Sequence, residues 1–405
     1  MSDDGVRALL AERDFLRLWG ARILAGSATQ MMMVAAAWQM YALTGSAWDL
    51  GLVGLFQFLP VLLFTLPAGH VADRHQRGRI VAWSQALQFA VALLLLAATV
   101  THHLTRELLF GVSVLLGTAR TFQMPAQQSL VPSLVPQAML SRAMAMSSSG
   151  NQVAVIGGPA VAGLLFLDTG SFVYGTAALL LAASLVFVLG LHDRRTQRLT
   201  QPPSLDSMLA GVRFIWARKP LLGAVSLDLM AVLFGGATAL LPIYAKDILH
   251  VGPQGLGALR AAPAAGALVA SLLLTRFPIR NAVGRWLLLG VAAYGLCMLA
   301  FGVSRFFALS LAALALSGVA DMVSVVVRQT LVQLDTPDDM RGRVGAVNSM
   351  FIGASNQLGE FESGATAAWF GPVGSVVLGG VATLLVVAAW WRIFPTLARR
   401  RTFHA

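Results

Sequence analysis

The sequence predicts an all-α membrane protein in which twelve transmembrane helices form two similar six-helix bundles. Of its 405 residues, 57% are hydrophobic and 12% are charged, whereas soluble domains carry about 25% charged residues. The apolar runs recur at the length of about 20 residues that spans a bilayer as a helix. The chain also matches itself at an offset of 201 residues, from Gly117 with Gly318 to Arg142 with Arg343, as expected of two related halves.

Each apolar run is predicted to be a helix, because charged or proline- and glycine-containing segments separate it from the next. Spans 1 to 6 are predicted near residues 16–43, 49–72, 79–101, 107–124, 142–167 and 172–191. Spans 7 to 12 are predicted near residues 220–245, 254–275, 284–302, 305–331, 344–369 and 372–395.

Basic residues are concentrated in every second connection between the spans. Because positively charged loops stay on the cytoplasmic side, this bias places both termini and the central connection in the cytoplasm. The other connections carry little beyond Arg106, Lys246, Arg260 and Arg305. The basic connections contain Arg74, Arg77, Arg79, Arg142, Arg194, Arg195, Arg198, Arg213, Arg218, Lys219, Arg276, Arg280, Arg285, Arg341, Arg343, Arg399, Arg400 and Arg401.

The composition argues against several other kinds of protein. The net charge of +11 is explained by the topology, and no folded basic domain is predicted that could bind nucleic acid. Cys297 is the single cysteine and the histidines lack ligand spacing, so we expect no disulfide and no metal site. No phosphate-binding loop of the form G-x-x-x-x-G-K-S/T occurs. We therefore expect no cofactor and no enzyme.

Three parts are predicted along the chain. Residues 1–191 form an N-terminal six-helix bundle, 192–219 a cytoplasmic linker, and 220–405 a C-terminal six-helix bundle. Within the linker we predict an interfacial amphipathic helix whose apolar stripe lies on the cytoplasmic leaflet and tethers the halves. The stripe consists of Leu205, Met208, Leu209, Val212 and Ile215.

A charged turn, GHVADRHQRGR, separates spans 2 and 3 because hydrocarbon cannot hold such a cluster. Its pattern of Gly69, Asp73-Arg74, Arg77 and Arg79 resembles the loop between the second and third helices of major facilitator superfamily transporters. The runs LTGSAWDLGLVGLFQFLPVLLFTLPAGH, GNQVAVIGGPAVAG and MFIGASNQLGEFESGATAAWFGPVGSVVLGG are similar to the bacterial branch of enterobactin exporters and proton-driven drug effluxers. This resemblance implies a two-bundle transporter.

Two motifs carry alternative interpretations. Gly158 and Pro159, with Gly163, resemble the glycine–proline motif of the superfamily's antiporters; they serve either as a hinge or as a tight packing surface. Asp73 is interpreted as part of a gate that pairs with an arginine in one state and releases it in the other. The alternative is that the whole turn is a solvated topology signal.

Charged residues inside the spans are expected to face the protein interior, because each costs about 2.5–3.5 kcal/mol at the bilayer centre. On span 10, Asp321 and Arg328 share one helical stripe with two serines. On span 11, Glu360 and Glu362 point in different directions, and we prefer Glu360 as the inward-facing acid. The full set is Arg22, Arg120, Asp228, Asp321, Arg328, Glu360 and Glu362.

In the internal repeat, Arg120 aligns with Asp321, and at a slightly different offset Arg22 aligns with Asp228. Either these pairs attract each other across a cleft between the halves, or each charge is satisfied within its own half, as by Asp321 lying near Arg328. We predict that one acid carries the coupling proton. The candidates are Asp228, Asp321 and Glu360, and the gating candidates are Arg22, Arg120, Arg328, Asp73, Arg74, Arg77 and Arg79.

These features predict a secondary transporter that exports amphipathic small molecules of the drug or siderophore class in exchange for protons. One alternative is a symporter or facilitator that imports a small metabolite, and another is a membrane-embedded enzyme or a non-transporting sensor. The expected partners are the lipid bilayer and the transported molecule. The transport unit is expected to be a monomer driven by the proton gradient alone.

Overall fold

The structure, a computed structural model, is described for Leu9 and residues 11–167, 169–191 and 205–403, and this part of the chain is helical without a strand. The first six helices are α1 (Arg13–Thr44), α2 (Ala47–Arg74), α3 (Arg77–Val100), α4 (Arg106–Leu134), α5 (Leu140–Leu165) and α6 (Ser171–Leu189). A helix in the central connection follows, α7 (Leu205–Ala217).

The second half repeats this pattern. It contains α8 (Lys219–Phe234), the turns Ala237–Leu240, Leu241–Ile243 and Tyr244–Ile248, α9 (Gly252–Arg276), α10 (Val283–Val303), α11 (Phe307–Leu334), α12 (Asp338–Ile393) and α13 (Pro395–Ala398). Gly371 has φ +74°, a left-handed value, and divides α12 into arms 338–370 and 372–393. With α12 counted as two arms and α7 and α13 set aside, the described residues form the twelve predicted helices, which confirms the predicted fold.

Eight helical segments of the described chain are long and apolar enough to cross a membrane by length and composition. The two arms of α12 belong to one of these segments, and α1, α4 and α5 are the long helices outside the set. Two of these three helices carry predicted interior charges, Arg22 on α1 and Arg120 on α4. Charged residues within a span lower its mean hydropathy.

The chain forms two compact units. The N-terminal unit contains α1, α2 from Phe56 onward, and α3 to α6. The C-terminal unit contains α7 to α13 together with Gly45–Leu55, which includes the first turns of α2. In the N-terminal unit α1 packs against α5 and α6, and the Ser184 hydroxyl donates to the carbonyl of Ala21 over 2.8 Å.

The C-terminal unit contains a close crossing of α9 and α11. A methyl group on Gly266 would overlap the carbonyl oxygen of Ala315, and one on Gly318 would overlap that of Pro263. Glycine lets the two backbones touch where a side chain would separate them, a common device between membrane helices. This contact holds α11, which carries Asp321, against α9.

We therefore expect Gly318→Ala to destabilise the protein. Added volume at a close backbone contact costs about 1–3 kcal/mol, because the helices must shift to admit it. The measurement is the thermal unfolding temperature of the detergent-purified protein. Gly353→Ala is the matched control, since nothing lies within 4 Å of a methyl group there. Equal unfolding temperatures for the two variants would contradict the importance of this crossing.

α4 ends at Leu134, beyond the end predicted near residue 124, although it contains two prolines. A proline removes a backbone donor, but in a membrane protein neighbouring polar groups can satisfy the carbonyls near it. The Ser129 hydroxyl donates to the carbonyl of Pro125 over 2.7 Å, and Arg77 Nη1 donates to the carbonyl of Ser129 over 3.1 Å. The helix continues through Pro125 and Pro132; these two hydrogen bonds reinforce it, but the carbonyls that lose a donor to the prolines are those of Thr121 and Gln128.

The predicted span 7 is interrupted at Gly235 and Gly236, after which the chain continues as the 3-10 turn Ala237–Leu240. A methyl group on Gly236 would overlap the carbonyl oxygen of Gly359. The Tyr294 hydroxyl donates to the carbonyl of Gly235 over 2.8 Å. The interruption is therefore held in place by a close backbone contact and by a hydrogen bond from α10.

A helix, α7, occupies residues 205–217 of the predicted linker, and part of its apolar stripe packs against protein. Its interfacial position on the leaflet stays a prediction. Ile215 is buried in a cluster with residues of α8, α11 and α12, and Val212 packs against the same cluster. A methyl group on Gly211 would lie 2.9 Å from the carbonyl oxygen of Arg343. Leu209 is exposed. Residues 192–204 lie outside the described part of the chain.

Candidate functional site

A cavity of about 280 Å³ lies inside the C-terminal unit. We call it cavity A. Residues of α8, α9, α10, α11 and the 338–370 arm of α12 line it, and so does the interruption at Gly235. Its wall is mostly apolar, in keeping with its surroundings, but several polar side chains converge on it. These are Asp228, Thr238, Arg260, Tyr294, Ser317, Asp321, Ser324 and Asn356.

Asp228 forms a buried ion pair with Arg328. Arg328 Nη2 lies 3.0 Å from Asp228 Oδ2, and the two residues are 2% and 4% exposed, Arg328 first. Arg328 Nη1 donates to Asn348 Oδ1 over 3.0 Å, so the guanidinium joins α8 to α12. Asp228 is one of the three acids predicted as candidates for the coupling proton, and its partner lies on another helix of the same unit.

Breaking this ion pair inside the protein would cost electrostatic free energy. Removing two charges from water costs several kcal/mol for each ion, and the mutual attraction compensates only while the geometry is good. Two further buried atoms, Arg328 Nε and Ser324 Oγ, have no hydrogen-bond partner within the described structure. The site therefore depends on Arg328 to compensate the buried negative charge of Asp228.

Asp321 lines cavity A and lies close enough to Asp228 for the two carboxylates to repel each other. It precedes Arg328 by two helical turns on the same face of α11, and Ser324 lies between them. Arg328 interacts with both acids, but its ion pair is made with Asp228 and not with Asp321. Two acids of the C-terminal unit therefore share one arginine.

Arg260 is a member of the site that the sequence analysis missed, because it was assigned to a connection between spans. α9 begins at Gly252, so Arg260 is more than two turns inside the helix and lines cavity A. Its charge interacts with that of Glu360. The signal that could have identified it is its position as a lone charge in the otherwise apolar stretch 255–274.

The two glutamates of α12 have different surroundings. A methyl group on Gly54 would lie 2.9 Å from Glu360 Cβ and 3.1 Å from its Oε2, so Glu360 packs against the first part of α2. Glu362 Oε2 accepts a hydrogen bond from Ser363 Oγ over 3.5 Å. Neither glutamate lines cavity A, whereas Asn356 one turn earlier on the same helix does.

The candidates of the N-terminal unit are spread over several helices. Arg22 is half-buried on α1, and Arg120 is exposed on α4. In the charged turn, Arg74 and Arg79 are exposed. The side chain of Asp73 lies outside the described part of the structure, so its predicted gate remains a prediction.

Gly158 and Pro159 are buried within α5, which continues through the proline. A methyl group on Gly158 would lie 2.9 Å from the carbonyl oxygen of Ser27 and 2.7 Å from Gln30 Cβ. Gly163 is buried on the same helix. These contacts account for Gly158 as a packing residue between α5 and α1, and the hinge role remains a prediction.

Twelve long helices in two units, with buried charges around an internal cavity, define a multi-span membrane transporter of the major facilitator type. The chain belongs to the family described as transmembrane secretion effector, whose model matches residues 5–399. Members of this family are transporters and not enzymes.

The chain is similar in sequence to enterobactin exporters. The enterobactin exporter EntS of Escherichia coli O1:K1 is 25% identical over 395 residues, which cover 96% of this chain and 93% of that protein. EntS of Shigella boydii serotype 18 shows the same identity and coverage.

Solved structures of other transporters share the fold. The nucleoside transporter NupG, solved as a point mutant, has a TM-score of 0.75 at 13% identity, and the match covers 94% of this chain and 100% of that one. A bacterial homologue of the lysosomal transporter Spinster, inward-facing and unoccupied, has a TM-score of 0.75 at 14% identity, with 96% and 98% covered. A bacterial homologue of ferroportin has a TM-score of 0.70 at 18% identity, with 96% and 99% covered. These likenesses concern the fold alone.

Proposed function

We propose that this protein exports an amphipathic small molecule of the siderophore or drug class, driven by protons that enter as the cargo leaves. The observation that carries the proposal is the Asp228–Arg328 ion pair, which lies beside Asp321 on cavity A. The similarity to enterobactin exporters along nearly the whole chain supports the direction and the class of cargo. The protein would reside in a bacterial inner membrane with both termini in the cytoplasm, as the positive-inside bias predicts.

The size and charge of cavity A suit it to ion coupling. Drug-sized ligands occupy pockets of about 300–1,000 Å³, whereas cavity A measures about 280 Å³. This volume is ample for water and lies just below the range for a drug-sized cargo. We therefore assign cavity A to the coupling proton and not to the cargo.

The proposed coupling follows from the balance of charges. While Asp228 is ionised, it holds Arg328. A proton on Asp228 removes the negative charge, weakens the attraction and leaves Arg328 free to interact with Asp321. Such a change alters the relative free energies of two conformations, as alternating access requires, because the proton binds one conformation more tightly than the other.

The test is transport by the purified protein in proteoliposomes with an imposed pH gradient. The panel contains fluorescent amphipathic dyes and catecholate siderophores, and the gradient is applied in each direction. We expect cargo to accumulate on the side with the higher proton concentration, because exchange carries protons the other way. Accumulation that follows the protons would instead identify a symporter for import. Equal equilibration of cargo regardless of the gradient would identify a facilitator and would contradict proton coupling.

A further inference from the structure

A second cavity, which we call cavity B, lies in the C-terminal unit at the end of α11 and the beginning of α12. It measures about 600 Å³. Its wall is more polar than that of a lipid-facing groove, and most of its residues are exposed or half-buried. The polar residues are Gln329, Gln333, Thr336, Arg341, Asn348 and Ser349. Under the predicted topology, this end of the helices faces the cytoplasm.

One arginine side chain links the wall of cavity A to the wall of cavity B. Asp228 is on the wall of cavity A, and Asn348 is on the wall of cavity B. Arg328 binds both of them, each over 3.0 Å, and lines neither cavity. Asp228 is 4% exposed, Asn348 8% and Arg328 2%. The contacts between these three residues are therefore closed to solvent.

Beside these closed contacts lie two buried hydrogen-bonding groups that the described residues leave without a partner. Ser324 Oγ and Arg328 Nε are buried and have no partner within the described structure. Helical side chains lean toward the N-terminus of their helix, so Arg328 leans toward Ser324, one turn earlier. Buried polar groups without protein partners are commonly satisfied by water. Ser324 also lines cavity A, so the wall of this cavity reaches to within one helical turn of Arg328.

We propose that Asp228, Arg328 and Asn348 form a plug between cavities A and B, and that the coupling proton leaves to the cytoplasm through cavity B. This inference rests on the proton coupling proposed above. In the first step a proton moves from water in cavity A to an oxygen of Asp228, whose carboxyl group becomes neutral. Arg328 then moves away from Asp228 while it stays bound to Asn348, which opens a path for water between Asp228 and cavity B. The proton then passes to water in cavity B, and the ionised Asp228 recovers Arg328.

Asn348 is a positioning residue in this scheme. Its amide is neutral at every pH, so it holds Arg328 whether or not Asp228 carries a proton. Among the described residues, Arg328 on α11 makes the ion pair with Asp228, and the other titratable groups on the wall of cavity A are Arg260 on α9, Tyr294 on α10 and Asp321 on α11. Without Asn348, Arg328 would lose its second anchor, and the plug would open without regard to the cargo.

The test is proton flux through the Asn348→Ala variant in proteoliposomes without any cargo. The liposomes contain a pH-sensitive dye, and a potassium gradient with valinomycin supplies the driving potential. A hydrogen bond to a charged group contributes enough that its loss should raise proton flux on the order of tenfold. Thr330→Ala is the matched control, because that hydroxyl bonds to the carbonyl of Val326 on its own helix and lines neither cavity. It should conduct protons at the level of the unchanged protein.

The double variant Asp228→Asn with Asn348→Ala distinguishes this route from a general leak. Because the proposed route requires Asp228 to carry the proton, the double variant should return to the level of the unchanged protein. Flux of Asn348→Ala at the control level would overturn the proposal, and so would a leak that persists in the double variant. Asn348→Ser replaces the alanine variant where the latter is not monodisperse in detergent.

The flux assay requires no cargo, so its result is separate from that of the proposed function. Suppose that the unchanged protein transports no compound of the panel, while the Asn348→Ala variant leaks protons through Asp228. This result would contradict the proposed cargo and not the plug. Transport driven by the pH gradient together with no leak in Asn348→Ala would retain the proposed function and overturn the plug.

Discussion

Replacing Asp228 with asparagine is expected to abolish uphill export driven by a pH gradient, while cargo binding and exchange down a cargo gradient persist. Asparagine keeps the size and part of the hydrogen bonding of the side chain, but it can neither bind a proton nor hold Arg328 by charge. The ion pair between residue 228 and Arg328 would then be absent in both conformations of the transport cycle, so the proton could no longer shift the equilibrium between them. The measurement is cargo accumulation in proteoliposomes with and without the gradient.

Asp335→Asn is the matched control for this experiment. Asp335 follows the end of α11 and also forms an ion pair, with Arg400 at 2.6 Å, but it lines neither cavity. We expect that variant to retain gradient-driven export. Asp321→Asn and Glu360→Gln should be measured beside it, because either acid was a candidate for the coupling proton. If all three single variants, at Asp228, Asp321 and Glu360, retained gradient-driven export, none of these acids would carry the coupling proton. They would then be structural partners of arginines.

Replacing Arg328 with glutamine is expected to have the largest effect on stability. It leaves Asp228 buried at 4% exposure without its counter-charge, and breaking a buried pair in this way costs about 3–5 kcal/mol. The double variant Asp228→Asn with Arg328→Gln removes both charges and should recover much of that loss. It should still fail to couple transport to the gradient. The measurements are thermal unfolding in detergent and the proteoliposome assay.

The coupling free energy between the two positions follows from the double-mutant cycle. Arg400→Gln supplies a comparison, because the side chain of its partner Asp335 is 21% exposed, against 6% for that of Asp228, so water can partly solvate the carboxylate left unpaired. We expect a smaller change in unfolding temperature there. If the double variant were no more stable than Arg328→Gln alone, the burial of an unpaired Asp228 would not be the cause of the loss.

Much of the fold was predictable because membrane spans are a local property of the chain. A run of about 20 apolar residues must be helical in a bilayer, since no water is present to satisfy its backbone groups. The observed helices α3 (Arg77–Val100) and α10 (Val283–Val303) therefore begin and end within a few residues of the predicted spans 79–101 and 284–302. The errors at α4 and at Gly235 arose where proline and glycine have effects that depend on neighbouring helices.

The residues of the candidate site were only partly predictable. Helical phase indicated that Asp321 and Ser324 share a face, and both line cavity A. Arg260 was missed because it was counted with the connection before the predicted span 254–275, although it lies inside that span. Asn348 carried no signal, since an asparagine in a membrane helix acquires its role only from the guanidinium it meets.

The sequence by itself determined that this chain is a two-bundle membrane transporter, because hydrophobic length, the distribution of arginines and the internal repeat can be read without knowing which helices touch. Only the tertiary structure decided that Asp228 pairs with Arg328, on a helix far along the chain, and that Asn348 holds the same guanidinium. The physical reason is that an ion pair depends on the rotation and depth of two helices relative to each other. Those quantities follow from packing over the whole unit, such as the glycine contacts of α11 with α9, and not from the residues adjacent to either charge.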